Sequence, residues 1–207
     1  MSGKRTYGGL SVEERLAHRR RRLLDAGLEL FASRGFHGTS IEQLSSAAGI
    51  TARDFYRVFK GREELFIALL DELNDESVRV AAEALSAAAE DAVARARAAL
   101  SAYIQWTVAD PRRARVKYTR PFGISPAVER RRQAGVDAFI DLARHEFEQM
   151  AAAGLIPRRT NFALAAVAVM GAANELILDW VAGRYAADID EVVEEAVRVL
   201  GAALSGP

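Results

Sequence analysis

Apolar residues recur along this chain at spacings of three and four almost from end to end, the period of helices that bury one face. Leu24, Leu28 and Phe31 form one such face, and Ile189, Val192, Val193, Ala196, Val199, Leu200 and Ala203 form another. No stretch alternates apolar and polar residues around hairpin chemistry, so strands are not expected. Ser11-Val-Glu-Glu14, Thr39-Ser-Ile-Glu42, Thr51-Ala-Arg-Asp54 and Asp188-Ile-Asp-Glu191 each set a side-chain acceptor three residues before a carboxylate. Both groups can satisfy the free amides of a first helical turn. Ser125-Pro126 places proline where a first helical residue tolerates it, and Pro111 and Pro157 mark two further boundaries. The pattern predicts an all-α chain with helices near 11–34, 40–47, 51–58, 61–86, 89–109, 112–123, 126–153, 161–185 and 188–204.

The segment from Thr39 to Phe59 carries the most specific signal. A short capped helix ends at Ala48-Gly49, where glycine can adopt the left-handed backbone of a tight turn, and a second capped helix restarts at Thr51. Two short helices joined in this way make a helix-turn-helix. On the second helix, Phe55, Val58 and Phe59 share one side and are expected to pack on Ile41, Leu44, Ile50 and the first helix. Ala52, Arg53, Tyr56, Arg57 and Lys60 are left facing outward. A cationic face with a small residue at its tip suits entry into a major groove.

The run Arg22-Leu-Leu-Asp-Ala-Gly-Leu-Glu-Leu-Phe31, then Gly35-Phe36-His-Gly-Thr39-Ser40-Ile41, Ala48-Gly49-Ile50-Thr51, Phe55-Tyr56-Arg-Val-Phe59 and Glu63-Glu64-Leu65 resembles the DNA-binding domain of the tetracycline-repressor (TetR) family. The resemblance spans roughly residues 15–66, and beyond it only the helical layout agrees. It implies a DNA-binding domain at 1–62 and a helical ligand-binding and dimerisation domain at 63–207. Thr39, Ser40, Thr51 and Arg62 join the outward face as candidate DNA contacts, with Thr39 both capping its helix and offering its amide to a phosphate. Arg53, Asp54, Val58 and Arg62 depart from the family pattern. Asp54 can accept from a cytosine amino group or cap its own helix. The run Arg19-Arg20-Arg21-Arg22 lies close to phosphates or is a solvated face, and His37 touches a phosphate or is simply solvated.

Composition narrows the alternatives. Half of the 207 residues are apolar and 27% are charged, an ordinary globular balance. Net neutrality hides an asymmetry: residues 1–60 hold eleven Lys/Arg against six Asp/Glu, and the excess reverses afterwards. The basic end is the one suited to a polyanion. Without cysteine there is no disulfide framework, thiolate metal site or thiol nucleophile. The charged stretch after Leu10 does not read as a signal peptide, and the apolar run Phe162–Ala173 reads as too short for a bilayer, so a cytoplasmic location with no membrane partner is expected. His145-Glu-Phe-Glu-Gln149 lacks the second histidine of a zinc-protease helix, and one histidine cannot supply two Glu-x-x-His pairs. No catalytic residue, metal site or cofactor is expected, and the enzyme reading is weak.

The second half places aromatic residues within apolar faces and embeds a few polar ones among them. Tyr103, Trp106, Thr107, Tyr118, Phe122, Phe139, Phe147 and Asn174 are the candidate ligand-binding set, with Trp106 as its fluorescent probe. Each aromatic is alternatively ordinary core, and Gln105, Asn174 and Glu175 can lie at solvent, across an interface or in a cavity. The charge balance gives no reason to expect a strongly anionic ligand, so the expected effector is a largely apolar, aromatic or acyl-bearing small molecule. By resemblance the last two helices form half of an intersubunit bundle, with Val167, Gly171, Leu178, Val193, Ala196 and Leu200 at a homodimer interface. The whole implies a repressor that places two recognition helices on a near-palindromic double-stranded DNA operator. By the same resemblance, a ligand under the fourth helix would release it. A regulator that activates or answers to a protein partner, and an all-α ligand-binding protein or enzyme with a vestigial helix-turn-helix, are the rival readings.

Overall fold

The computed structural model describes residues 11–88, 91–118, 124–158 and 161–205. They form nine helices and no strand: α1 (Val12–Arg34), α2 (Ile41–Ala47), α3 (Ala52–Phe55), α4 (Arg62–Ala87), α5 (Ala92–Ala109), α6 (Pro111–Tyr118), α7 (Pro126–Ala152), α8 (Phe162–Val181) and α9 (Ile189–Ser205). The expected boundaries hold to within a few residues except at three places. The second helix of the helix-turn-helix is one α-turn, Ala52–Phe55, and continues to Phe59 in tighter bonds such as Val58 N to Phe55 O at 2.9 Å. Helix α8 stops at Val181, four residues early, because Gly183 at φ 65° lets Arg184 N reach back to Asp179 O. The last residues predicted for the sixth helix, including Phe122, lie outside the described residues.

The caps explain the starts. Ser11 and Glu14 exchange hydrogen bonds, as do Asp188 and Glu191. The box expected at Thr39–Glu42 is shifted by one residue: Ser40 Oγ accepts from Gln43 N at 3.2 Å, and Gln43 Oε1 accepts from Ser40 N at 2.8 Å. Thr39 does not cap because it is 1% exposed and its hydroxyl donates to Gly35 O at 2.8 Å. Ser40→Ala is therefore expected to cost about 1 kcal/mol in thermal or urea unfolding.

Two apolar clusters organise the molecule. The first gathers Leu23, Leu24 and Phe31 of α1, Leu44, Phe55 and Phe59 of the helix-turn-helix, and Leu65 to Leu73 along one face of α4. The second gathers Ala81, Leu100, Tyr103, Ile104, Phe139, Phe147 and the inner faces of α8 and α9. Four helices belong to both: α4 runs from one into the other, α5 sends Trp106 against the first and Tyr103 into the second, α6 puts Val116 in the first and Ala114 in the second, and α7 puts Val128 in the first and Phe139 in the second. Helix α4 packs close to α7, where a Cβ on Gly135 would come within 2.3 Å of the Asn74 side chain. As a whole helix α8 has 20 residues and is long and apolar enough to cross a membrane, unlike the shorter run measured on the sequence. Its Ala166, Val169, Ala173 and Ile177 face is instead packed in the second cluster.

Candidate nucleic-acid interface and effector chamber

Between α2 and α3, Gly49 adopts φ 60° and Ile50 N bonds back to Ser45 O at 2.9 Å, closing the tight turn. The guanidinium of Arg22 lies over Gly49 so closely that a Cβ there would meet it at 2.2 Å. With Phe55 and Phe59 buried, Ala52, Arg53, Tyr56, Arg57 and Lys60 are all exposed, Tyr56 by 59%. Thr51 caps the short helix: its hydroxyl accepts from Asp54 N at 3.1 Å and donates to the Asp54 carboxylate at 2.8 Å. That carboxylate also receives Arg57 at 3.2 Å and faces Arg19 at 3.8 Å. The Thr51 hydrogen bond, helped by the two arginines, holds Asp54 below its ordinary range. Its oxygens are engaged in capping and in orienting Arg57.

Two residues of the candidate DNA-contacting set are turned inward. The Thr39 hydroxyl is buried, and its amide bonds to Phe36 O. Arg62 donates to Thr39 O at 2.6 Å and stacks on Phe36 at 4.5 Å, clamping the start of α4 to the start of α2. The local sequence could not show this, because the partners come from opposite ends of the helix-turn-helix. Conversely, α1 adds Arg15 and His18, which were not singled out in the sequence, to Arg19 and Arg22 of the basic run. Arg15, His18, Arg19 and Arg22, spaced to share one face, line a concavity of about 460 Å³ beside Gly49, Ile50, Thr51 and Asp54. Arg20 instead stacks on Phe59 at 4.8 Å, and Arg21 pairs with Asp25 and Glu72.

A half-open chamber of about 760 Å³ lies between α4, α5, α6, α7 and α8, where the two clusters meet. Asn74, Tyr103, Lys117, Tyr118, Ser125, Glu129, Arg132, Asn174 and Glu175 supply its polar groups, and Leu70, Ile124, Val136 and Leu178 supply apolar wall. Tyr103 and Tyr118 both donate to Asn174 Oδ1, at 2.8 and 3.0 Å, and their hydroxyls touch each other. Burial pushes both phenols up, so they are neutral donors at any ordinary pH. Tyr103 also lines a narrow slot of about 50 Å³ walled by Leu85, Leu100, Phe139, Phe147, Val169 and Met170.

Tyr103, Tyr118 and Asn174 are thus brought together at the chamber, and Phe139 and Phe147 at the slot. Trp106 and Thr107 are not walls of either space. Arg113 stacks on the Trp106 ring at 4.3 Å and donates to its carbonyl at 2.6 Å, while the fully buried Thr107 hydroxyl donates back to Tyr103 O. Helical periodicity put them near Tyr103 in sequence, but α5 turns Tyr103 and Trp106 toward different clusters. Lys117, Ser77 and Arg132 went unnoticed in the sequence, where they sit in strongly polar surroundings.

The candidate interface residues divide likewise. Ala196 and Leu200 are 1% and 3% exposed and belong to the subunit's own core, leaving little surface for a partner. Val193 is half-buried and packs on that core, and Leu178 lines the chamber. On α8, Leu164, Val167 and Gly171 form an exposed stripe, with Leu164 68% and Val167 48% accessible.

Comparison with known proteins agrees with this layout. Residues 23–69 match the family model of bacterial regulatory proteins, tetR family. The HTH-type transcriptional activator FasR of Mycolicibacterium smegmatis is 26% identical over 98% of this chain and 91% of its own length. The HTH-type transcriptional regulator RutR of Escherichia coli K12 is 35% identical over 57 residues, 28% of this chain and 27% of RutR. In fold, FadR of Bacillus subtilis in complex with stearoyl-CoA superposes with a TM-score of 0.80 at 17% identity, covering 88% of this chain and 98% of that one. A TetR-like regulator from Rhodococcus sp. RHA1 superposes with a TM-score of 0.75 at 22% identity, covering 96% of this chain and all of the other. Residues 23–69 thus carry a DNA-binding helix-turn-helix of the tetR-family type, and over nearly its whole length the chain is similar in sequence to the regulator FasR and in fold to TetR-like regulators.

Proposed function

We propose that this regulator acts in the cytoplasm as a homodimer on a near-palindromic operator, and that a small acyl-bearing effector in the chamber releases it. The observation that carries the reading is the exposed Arg53, Tyr56, Arg57 and Lys60 face on a helix-turn-helix, joined through α4 to helices that line a chamber. Two such faces spaced roughly 34–36 Å apart would enter successive major grooves. The B. subtilis FadR complex with stearoyl-CoA supports an acyl ligand, because a similar fold holds an acyl chain there. In this chain Leu70, Ile124, Val136 and Leu178 give the chamber the apolar wall that such a ligand needs, whereas the slot beyond Tyr103, about 50 Å³, is too small for an acyl chain.

Coupling would run through α6. Its Lys117 and Tyr118 line the chamber, its Val116 packs in the amino-terminal cluster, and its Arg112 grips Glu29 of α1 at 2.9 Å. A ligand that displaces α6 must also displace α1, and α1 carries the helix-turn-helix. Effector and operator affinities are then reciprocally linked. Repression by blocking a promoter is the simplest output of such a binder. The activator FasR favours a second reading, in which the bound dimer recruits transcription. A reporter placed behind the operator separates the two: deleting the regulator raises expression in the first and lowers it in the second.

Footprinting on the upstream DNA of this chain's own gene tests the operator, and variants test the face. Arg53→Ala or Arg57→Ala is expected to lose about 1–3 kcal/mol of specific binding, whereas Lys60→Ala weakens all sequences alike and flattens the salt slope by about one unit. Full affinity and unchanged sequence preference in both arginine variants would remove this face from base readout.

A further inference from the structure

Among the described residues Lys117 is the buried lysine, at 7% exposure, and its side chain lines the chamber. It donates to Ser77 Oγ at 2.8 Å, and that hydroxyl in turn donates to Asn74 O at 2.9 Å. Four rings surround it, those of Tyr103, Trp106, Tyr118 and Phe139, with Nζ 5.2–5.9 Å from their centroids. No ion-pair partner for it lies within 4 Å among the described residues. A buried ammonium is normally paired, since removing it from water without an opposite charge is costly. One hydroxyl and four ring faces soften that cost without cancelling it.

We propose that Lys117 is the head-group anchor of the chamber, receiving the carboxylate of a monoanionic acyl ligand whose chain lies against Leu70, Val136 and Leu178 of the chamber wall. The proposal rests on the acyl-effector reading above and selects the ligand's polar end: a free acid rather than a neutral alcohol or a thioester. The neighbouring groups suit it. Tyr103 and Tyr118 are neutral donors whose single protons go to Asn174 Oδ1, so either can serve a carboxylate oxygen by exchanging that acceptor for it. Of the charged groups on the other walls, Arg132 of α7 is paired with Glu129 at 2.6 Å, and Glu175 of α8 is exposed. Arg113 of α6 is held over Trp106. None of these supplies a counter-charge at Nζ.

Burial pushes Lys117 down to about 7, so the empty chamber holds an amine above that pH and an ammonium below it. Carboxylate binding favours the ammonium and therefore takes up a proton above about pH 7. The affinity for an acid is expected to fall by about tenfold per pH unit there, while that for an alcohol stays level.

The test compares decanoate, decanol and decanoyl-CoA by calorimetry or tryptophan fluorescence on the intact protein and on Lys117→Met, which keeps the apolar stem. Decanoate is expected to bind the intact protein more tightly than decanol, and Lys117→Met is expected to erase at least tenfold of that preference. The pH profile of the intact protein needs no variant and must show the decline for decanoate alone. If decanoyl-CoA binds and the decanoate preference is absent or survives in Lys117→Met, the anchor is wrong while the acyl reading stands. If none of the three binds, both fall together.

Discussion

Phe55→Ala is expected to lower the stability of the amino-terminal unit by about 3–5 kcal/mol, the range for removing a buried aromatic ring, and to abolish operator binding. Phe55 is 0% exposed and sits where α3 meets Leu44 and the α1 face, with ring centroids 5.6 Å from Tyr56 and 6.1 Å from Phe59. Helix α3 has a single α-turn, too short to persist by its own backbone bonds. It is held in place by this ring and by Phe59. Thermal unfolding followed by circular dichroism measures the loss, and the second cluster should keep most of its helical signal. Tyr56→Ala is the control: at 59% exposure it should change stability by no more than about 0.5 kcal/mol while still weakening DNA binding. Equal losses of stability in both variants would mean that the two faces of this turn have been assigned wrongly.

The double variant Leu164→Asp, Val167→Asp is expected to yield monomers whose operator affinity falls by at least about 100-fold. Linking two half-site binders raises affinity by such factors without any new contact, and separating them forfeits the gain. Leu164 and Val167 lie on the exposed stripe of α8, where two carboxylates are tolerated in a monomer but would be desolvated without partners in a dimer. Leu200→Asp, the change suggested by the apolar register of α9, is a poor test, because Leu200 is 3% exposed and the charge would damage the subunit's own core. Sedimentation should show the monomer, and decanoate titration should show that the chamber, built from one chain, still binds. An intact dimer in the double variant would place the interface elsewhere.

The helix-turn-helix was legible because its signals are local. Capping side chains lie within three residues of their amides, Gly49 stands where the left-handed turn requires it, and 3.6 periodicity separates Phe55 and Phe59 from Arg53, Tyr56 and Arg57. Even there, the choice between Thr39 and Ser40 as the cap depended on Leu30 and Gly35 accepting the Thr39 hydroxyl. The effector site was only partly legible. Its aromatic residues announced themselves, but Trp106 and Tyr103, three residues apart, look toward different clusters, because α5 lies between two cores and serves both.

Lys117 shows the division most clearly. In sequence it closes the run Arg112-Arg113-Ala-Arg-Val-Lys117, which reads as a solvated, basic helix. The one hint is that Ala114, Lys117 and Tyr118 fall at i, i+3 and i+4, a spacing that places them on one face. The sequence by itself determined the all-helical class, the turn and its cationic outer face, since these depend on interactions within a few residues. Only the tertiary structure decided that Ala196 and Leu200 fill the core while Leu164 and Val167 stay bare, and that a lysine lies among four rings beside Ser77. Periodicity reports that a face is apolar but not what covers it. Burial of a charge depends on α4, α5 and α7 closing around it from distant parts of the chain.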